Sequence, residues 1–300
     1  MKQGGTAIMK QITRQQFRIL CDFMDVRRFM TEIYERGWRN GVPAPFLEYA
    51  LSSTWMDTSY THRWRMWKDG EKIAAFVFHE DPISDVYISL RPGYEGLAEE
   101  LASYAANDMP KQNGKNRLIL FEGQAAVMEA AKQAGYVRTG GYHEQVLDFS
   151  KPLDYPLPEG FRFVEPGELD PAKIAECCWK GFDHEAAEGP WDGNYENTLR
   201  LIAAPHATPS CAVAIENERQ EYVCFAGMWW TPENHLAYME PLCTVPQYRR
   251  RGLASAALSE LYRRMKPLGA THMTGGGDPF YGKIGFEPRI GWTFWEKPGL

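Results

Sequence analysis

One segment of the sequence limits the possible folds more than any other. In it a predicted strand leads through a basic turn into an amphipathic helix. Residues 236–245 are predicted as a strand, and apolar side chains recur at helical spacing over residues 252–266. The turn between them holds Arg249, Arg250, Arg251 and Gly252. Amide groups at a helix N-terminus point towards bound anions, and a glycine lets the backbone approach closely. The segment therefore predicts a diphosphate site, which the arginines reinforce.

A second segment, Phe280-Tyr281-Gly282-Lys283-Ile284-Gly285-Phe286, lies downstream and overlaps a helical turn predicted over residues 279–284. The two segments together resemble the GNAT superfamily of acyl-CoA-dependent acetyltransferases. Arg249-x-x-Gly252-x-Ala254 is similar to the family's cofactor motif [QR]-x-x-G-x-[GA], and the downstream segment is similar to its [LF]-Y-x-x-x-G-F motif. The resemblance implies an N-acetyltransferase with acetyl-CoA as co-substrate.

The resemblance also implies how such a site works. The strand before the turn splays from its neighbour and pairs with the pantetheine arm, a backbone N–H near Cys243 polarises the thioester carbonyl, and Tyr281 protonates the departing thiolate. Acyl transfer is then direct in a ternary complex, so Cys243 is expected to be a strand residue and not a nucleophile. The implied cofactor-binding residues are Leu242, Cys243, Thr244, Arg249, Arg250, Arg251, Gly252, Leu253, Ala254 and Ser255.

The acceptor amine must lose a proton, which requires a nearby base. Glu240 shares one face of the predicted strand with Leu242 and Thr244 because of the two-residue period. Glu240 is therefore the candidate base, with a structural or substrate-binding carboxylate as the alternative. His235 and Tyr238 are weaker candidates.

The loop over residues 181–192 combines carboxylates, a histidine and aromatic rings. In the family this loop covers the acceptor, so Asp183, His184, Glu185 and Trp191 are the candidate substrate-binding residues. A solvated loop is the alternative. No metal is expected, because the acids and the histidine lack ligand spacing.

The chain is predicted to divide near its middle. Residues 150–160 contain three prolines, which interrupt helices and central strands, and the two halves follow a similar order of elements. The fold class is α/β (α+β), as two tandem GNAT-like domains that each have a mixed, mainly antiparallel sheet flanked by helices. Residues 1–150 are predicted to be a degenerate copy, since Glu95 and Ala131 replace the first arginine and the tyrosine. Residues 151–300 are predicted to be the catalytic domain.

The other predicted elements follow from periodicity and turn residues. In the first half, strands are expected at 72–79, 86–90, 118–121, 137 and 142–149, with helices at 97–105 and 125–134. In the second half, strands are expected at 161–164, 211–215, 222–230, 271–274 and 289–295, with helices at 171–180 and 279–284. The degenerate half is expected to support the fold and to supply a wall of the acceptor site.

Composition excludes some classes of function. The chain has 33 basic and 39 acidic residues and a net charge of -6, which opposes general nucleic-acid binding. Its six cysteines lack C-x-x-C spacing and are expected to be reduced. No apolar stretch is long enough to span a membrane, and Met1 to Arg18 is too polar for a signal peptide, so a cytoplasmic protein is expected. Met9 is an alternative start.

Two alternatives to an enzyme of this kind stay open. A non-catalytic acyl-CoA-binding sensor would keep the basic turn but not the tyrosine. An aminoacyl-tRNA-dependent transferase also pairs two such domains, but it requires a broad basic surface. The expected partner is a small-molecule or peptide amine, and the sequence does not choose among antibiotics, polyamines, amino acids, peptide N-termini and protein lysines. Neither does it fix the oligomeric state.

Overall fold

The computed structural model describes residues 12–298. Its strands are β1 (Ile12–Gln16), β2 (Arg65–Asp69), β3 (Lys72–His79), β4 (Asp85–Leu90), β5 (Arg117–Phe121), β6 (Val137–Asp148), β7 (Phe161–Phe163), β8 (Val213–Asn217), β9 (Tyr222–Ala226), β10 (Trp229–Thr231), β11 (Leu236–Tyr238), β12 (Leu242–Thr244), β13 (His272–Thr274) and β14 (Glu287–Glu296). Its α-helices are α1 (Ile19–Ile33), α2 (Ala44–Ser52), α3 (Ala98–Asp108), α4 (Ala125–Gln133), α5 (Pro171–Gly181), α6 (His184–Glu188), α7 (Glu196–Ile202), α8 (Leu253–Met265) and α9 (Pro279–Lys283). The alternative start Met9 lies outside the described residues.

Contacts between residues divide the chain into two compact units. The first unit holds the described parts of Met1–Ala44 and Trp292–Leu300, together with Asp57–Gly141. The second unit holds Pro45–Met56 and Tyr142–Gly291. These limits differ from the domain boundary that the sequence predicts after residue 150. The division into two domains at that point stays a prediction. A cut there would also separate β6 from β13, its antiparallel partner in the second unit, so experiments on this protein need the full chain.

The first unit contains a mainly antiparallel sheet. Its strand order is β1-β2-β3-β4-β5, followed by the end of β14, and β4 and β5 are its parallel pair. Aromatic side chains fill its core: Trp64 packs edge-on against Phe76 at 5.9 Å between ring centroids. Helix α3 follows β4 and precedes β5, as predicted. The order of strand, helix and parallel strand matches that of β11, α8 and β13 in the second unit.

The second unit contains two groups of paired strands. In one group the end of β6 pairs with β13, β13 with β11, and β11 with β10. In the other group the order is β12-β9-β8-β7, and every pair is antiparallel. Helix α8 contributes a row of buried apolar side chains to the core between them, including Leu253, Leu258, Leu261 and Met265.

Two strands that the sequence predicts as continuous are interrupted at neighbouring points. The strand predicted over 222–230 breaks after Ala226, and the strand predicted over 236–245 breaks between Tyr238 and Leu242, so each passes from one group of strands to the other. Pro241 has no amide hydrogen to donate to a ladder. Gly227 donates to its carbonyl at 2.8 Å instead, and a Cβ on Gly227 would lie 2.2 Å from the Glu240 carbonyl oxygen. The close approach explains why glycine occupies the break.

Several other predictions need correction. Residues 137–148 form the single strand β6 and not two strands, and a 3₁₀ turn at Pro209–Cys211 delays β8 to Val213. The sequence analysis also missed β1, β2, α1, α2, α6 and α7. Within residues 12–298 no helix is both long and apolar enough to cross a membrane.

Candidate functional site

The basic turn ends at the first residue of α8, as predicted. Gly252 precedes the helix with φ of 86°, in the left-handed region that glycine adopts without strain. The first helical hydrogen bond runs from the Ala256 amide to the Gly252 carbonyl at 3.0 Å. The amides of Leu253, Ala254 and Ser255 therefore have no acceptor within the helix. These three donors and the helix dipole have the geometry that the sequence predicts for an anion site, and anion binding there stays a prediction.

Arg249 does not point freely towards this anion site. Its guanidinium donates to the Gly181 carbonyl at 2.9 Å, to the Asp183 carboxylate at 2.9 Å and to the Thr244 carbonyl at 3.1 Å. A guanidinium presents its donors in a fixed fork, which suits this set of acceptors. Arg249 thus ties the C-terminal end of α5 to the strand β12.

The other two arginines remain nearer to solvent. The Arg251 guanidinium lies over the rings of Phe161 and Tyr248, at 4.9 and 5.6 Å from their centroids. Arg250 is exposed, has φ of 61°, and makes no hydrogen bond or ion pair with any side chain in the described part of the chain. Arg250 is therefore the arginine of this turn whose charge is available to a phosphate.

The strand β12 has an open edge. Leu242, Cys243 and Thr244 pair antiparallel with β9, and β12 is the last strand of its group. The Val245 amide donates to the Val223 carbonyl, so by the alternation of an antiparallel ladder Cys243 forms the next hydrogen-bonded pair. The amides of Leu242 and Thr244 consequently face away from β9. These amides suit the pairing that the resemblance implies for a pantetheine arm.

Cys243 faces the helix α5. Its Sγ lies 4.0 Å from Sγ of Cys177 and 3.9 Å from Sγ of Cys178. Hydrogen bonding to Cys243 and burial together raise the pKa of the Cys177 and Cys178 thiols. Burial raises the pKa of Cys224 to about 12. Hydrogen bonds from Cys177 and Cys178 in turn lower the pKa of Cys243, which is buried in β12, and its role as a packed strand residue stays a prediction.

Glu240 and Tyr281 lie within electrostatic reach of each other. Glu240 is half-buried at the break between β11 and β12, and burial raises its pKa to about 7. Burial and then the charges of Glu240, Glu144 and Asp278 raise the pKa of Tyr281 above its ordinary value. A carboxyl group with a pKa near 7 accepts a proton at neutral pH, and the tyrosine keeps its own proton.

The ring of Tyr281 is held in place by backbone and aromatic contacts. Its centroid lies 5.3 Å from those of both Phe280 and Phe286. A Cβ on Gly276 would lie 2.9 Å from the ring, so only glycine allows this approach. The Tyr281 hydroxyl makes no hydrogen bond with any other residue within 12–298. It is therefore free to donate to a ligand.

A cavity of about 670 Å³ lies within the second unit, and Glu240 lines it. Strand β9, the break after Ala226, helices α5 and α7, and the end of α2 enclose this space. Its volume is within the roughly 300–1,000 Å³ that small-molecule sites occupy. We call it the acceptor cavity.

The loop residues predicted to bind the acceptor separate into two pairs. His184 and Trp191 line the acceptor cavity. His184 stacks on Trp179 at 4.9 Å, and its Nδ1 lies 2.7 Å from the Glu188 carboxylate. Asp183 instead binds Arg249, and Glu185 is exposed and does not line the cavity.

The weaker base candidates do not line the acceptor cavity. His235 contacts the Gly269 carbonyl through Nδ1 at 3.0 Å, and Tyr238 is buried in β11; neither lines the acceptor cavity. Between residues 12 and 298 no cluster of three or more His, Cys, Asp or Glu side chains could hold a metal ion.

Sequence reasoning missed the residues that α2 and the segment after it supply to the cavity. Tyr49 and Trp55 line it, and Tyr49 packs edge-on against Trp229 at 6.0 Å. The almost fully buried Glu48 binds His206, with 2.9 Å between Oε2 and Nδ1, and so fixes the helix. The sequence did contain a signal for this contact, namely a charged residue within the apolar run 42–51. A buried charge requires a partner, so Glu48 could have been predicted to bind one.

Comparison with known proteins gives the family. The model of the Acetyltransferase (GNAT) family matches residues 173–286, which include both sequence motifs and most of the cavity lining. Residues 173–286 therefore form a domain of the GNAT family. No curated protein matches the chain.

Solved structures match over nearly the whole chain. The GCN5-related N-acetyltransferase from Sphaerobacter thermophilus has 15% identity and a TM-score of 0.59, with 98% of each chain covered. A tandem GNAT protein from the clavulanic acid biosynthesis pathway has 13% identity and a TM-score of 0.58, covering 97% of this chain and 100% of its own. A GNAT-family acetyltransferase from Colwellia psychrerythraea has 11% identity and a TM-score of 0.57, covering 96% and 100%. At these identities the matches establish the fold, which is mixed α/β with sheets flanked by helices.

Proposed function

We propose that the chain is an N-acetyltransferase that moves an acetyl group from acetyl-CoA to an amine within a ternary complex. The observation that carries the proposal is the pairing of Glu240 with Tyr281. Glu240 has a pKa of about 7 and lines the acceptor cavity, and Tyr281, which does not line it, keeps its proton and feels the charge of Glu240. The open edge of β12 and the free amides of α8 supply the cofactor contacts on the same domain.

The reaction needs only these groups. The amine nitrogen attacks the thioester carbon, an N–C bond forms, and the C–S bond breaks. Glu240 takes the proton that the nitrogen loses, directly or through water, and that proton balances the one gained by the thiol. Whichever outward amide of Leu242 and Thr244 does not pair with the pantetheine arm stabilises the charge on the carbonyl oxygen. Because a thiol has a pKa of about 8.5, below that of Tyr281, the hydroxyl acts on the departing sulfur chiefly as a hydrogen-bond donor.

The first unit is proposed to be a degenerate copy that binds no cofactor. At the equivalent turn after β4, the Glu95 carboxylate accepts the Gly93 amide at 2.9 Å, so a negative charge occupies the position where a diphosphate would bind. Ala131 is fully buried in α4 and offers no hydroxyl. The sensor alternative lacks such a specific observation in its favour.

The proposal is tested on the full chain with acetyl-CoA and a panel of amines. Thiol release and the acetylated product are measured together, and acetyl-CoA binding is measured separately by calorimetry. We expect one binding site and amine-dependent thiol release with equal amounts of product. Tight binding without release for any amine would favour the sensor, and a second equivalent site would contradict the inactive first unit.

A further inference from the structure

Large aromatic rings form a substantial part of the wall of the acceptor cavity. Seven large rings line it, and they come from α2 and the segment after it, α5 and the loop after it, β9 and β10: Tyr49, Trp55, Trp179, Phe182, Trp191, Phe225 and Trp229. Such rings bury large apolar areas and attract cations over their faces.

Two of these rings are fixed by their own hydrogen bonds. The indole N–H of Trp179 donates to the Gly189 carbonyl at 3.0 Å, and that of Trp191 donates to the Asn194 carbonyl at 3.1 Å. Their polar atoms are thus satisfied within the protein. The remaining ring surface is apolar, and it is held in position before any ligand binds.

Acidic side chains outnumber basic ones among the ionisable groups that line the cavity. The carboxylates of Asp192 and Glu240 and the imidazole of His184 line it, and no lysine or arginine of the described chain does so. Arg264 donates to the carbonyl of the lining residue Ala212 and is paired with Glu260. Arg249 is likewise paired with Asp183. A ligand carboxylate or phosphate would therefore meet acidic groups and no free cation.

We propose that the acceptor is a hydrophobic amine, meaning an amino group on an aromatic or bulky apolar body that carries no carboxylate or phosphate. This inference rests on the proposed function. The amino group lies at Glu240, where the base is, and the apolar body lies among the rings. Amino acids and nucleotides are excluded by their anionic groups, and polyamines by their lack of an apolar body.

The test compares 2-phenylethylamine, L-phenylalanine and spermidine on the full chain in the presence of coenzyme A. Calorimetry gives each affinity, and thiol release from acetyl-CoA gives each kcat/KM. We expect 2-phenylethylamine to bind at least about 100-fold more tightly than L-phenylalanine, because like charges brought together cost several kcal/mol. 2-Phenylethylamine should also bind at least about tenfold more tightly than spermidine, because spermidine lacks the apolar contact with the rings.

A matched pair of variants locates the effect. Trp55→Ala removes a cavity ring that is 41% exposed, and Tyr60→Ala removes a ring outside the cavity that is 39% exposed. Only Trp55→Ala should weaken 2-phenylethylamine binding, by roughly tenfold, with acetyl-CoA affinity unchanged. Equal or tighter binding of L-phenylalanine or spermidine would overturn the inference even if transfer occurs. Selective binding of 2-phenylethylamine without thiol release would support it and contradict the proposed function.

Discussion

The raised pKa of Glu240 makes a prediction about stability that does not depend on any substrate. Burial moves this pKa from its ordinary value of 4.5 to about 7. The folded state therefore holds the proton more tightly than the unfolded state does. The stabilising contribution is complete below about pH 4.5 and is lost as the pH rises through about 7. Above that pH the folded protein carries a charge that is poorly solvated.

The magnitude follows from the difference of about 2.5 between the two pKa values. At roughly 1.4 kcal/mol for each pKa unit, the ionised side chain costs up to about 3 kcal/mol of folding free energy. Glu240→Gln keeps the shape and removes the charge. The variant should be more stable than the parent by about 3 kcal/mol near pH 8, and by less than about 1 kcal/mol near pH 5.

Urea unfolding of both proteins at the two pH values measures this difference. The exposed Glu233 provides the control, since Glu233→Gln should change stability by no more than about 0.5 kcal/mol at either pH. If Glu240→Gln changes stability equally at pH 5 and pH 8, the carboxyl group titrates normally. The assignment of Glu240 as a base near neutrality would then lose its physical basis.

Three further substitutions test other parts of the site. Tyr281→Phe should lower kcat at least about 100-fold while leaving acetyl-CoA affinity nearly unchanged, whereas a loss within twofold would assign the thiolate to water or another donor. Gly252→Ala should weaken acetyl-CoA binding measured by calorimetry, because alanine is strained at φ of 86° and shifts the amides of α8. Gly70→Ala is the control for backbone strain alone, because Gly70 has φ of 59° and open space around it. Gly227→Ala should lower the free energy of unfolding by roughly 1–3 kcal/mol, since its Cβ would lie 2.2 Å from a carbonyl oxygen, while Gly96→Ala meets no atom within 4 Å and should not.

The elements that the sequence predicted well are those with local causes. Helix α8 has a strong apolar period and starts at a glycine in the left-handed region, so its bounds of 253–265 lie close to the prediction of 252–266. Tyr281 and Glu240 were likewise singled out from short segments, and their catalytic roles stay predictions. In each case the relevant residues lie within one or two turns of chain.

The features that the sequence missed depend on residues far apart in the chain. The break after Ala226 requires Gly227 to meet the Glu240 carbonyl, and no local pattern encodes that approach. Glu48 and His206, whose contact fixes α2 beside the cavity, are separated by 158 positions. Arg249 matches the cofactor motif by spacing, yet its side chain is committed to acceptors on α5 and β12. Tertiary contacts decided all three outcomes.

The pH dependence of kcat/KM tests the central claim most directly. The measurement uses full-length protein, acetyl-CoA and a weakly basic aromatic amine that is already neutral across the range studied. The rate constant should rise through a pKa of about 7 as Glu240 loses its proton and should level off above it. In Glu240→Gln the rise should vanish and the plateau should fall at least about 100-fold. A variant that keeps both the rise and the plateau would contradict Glu240 as the base of the transfer.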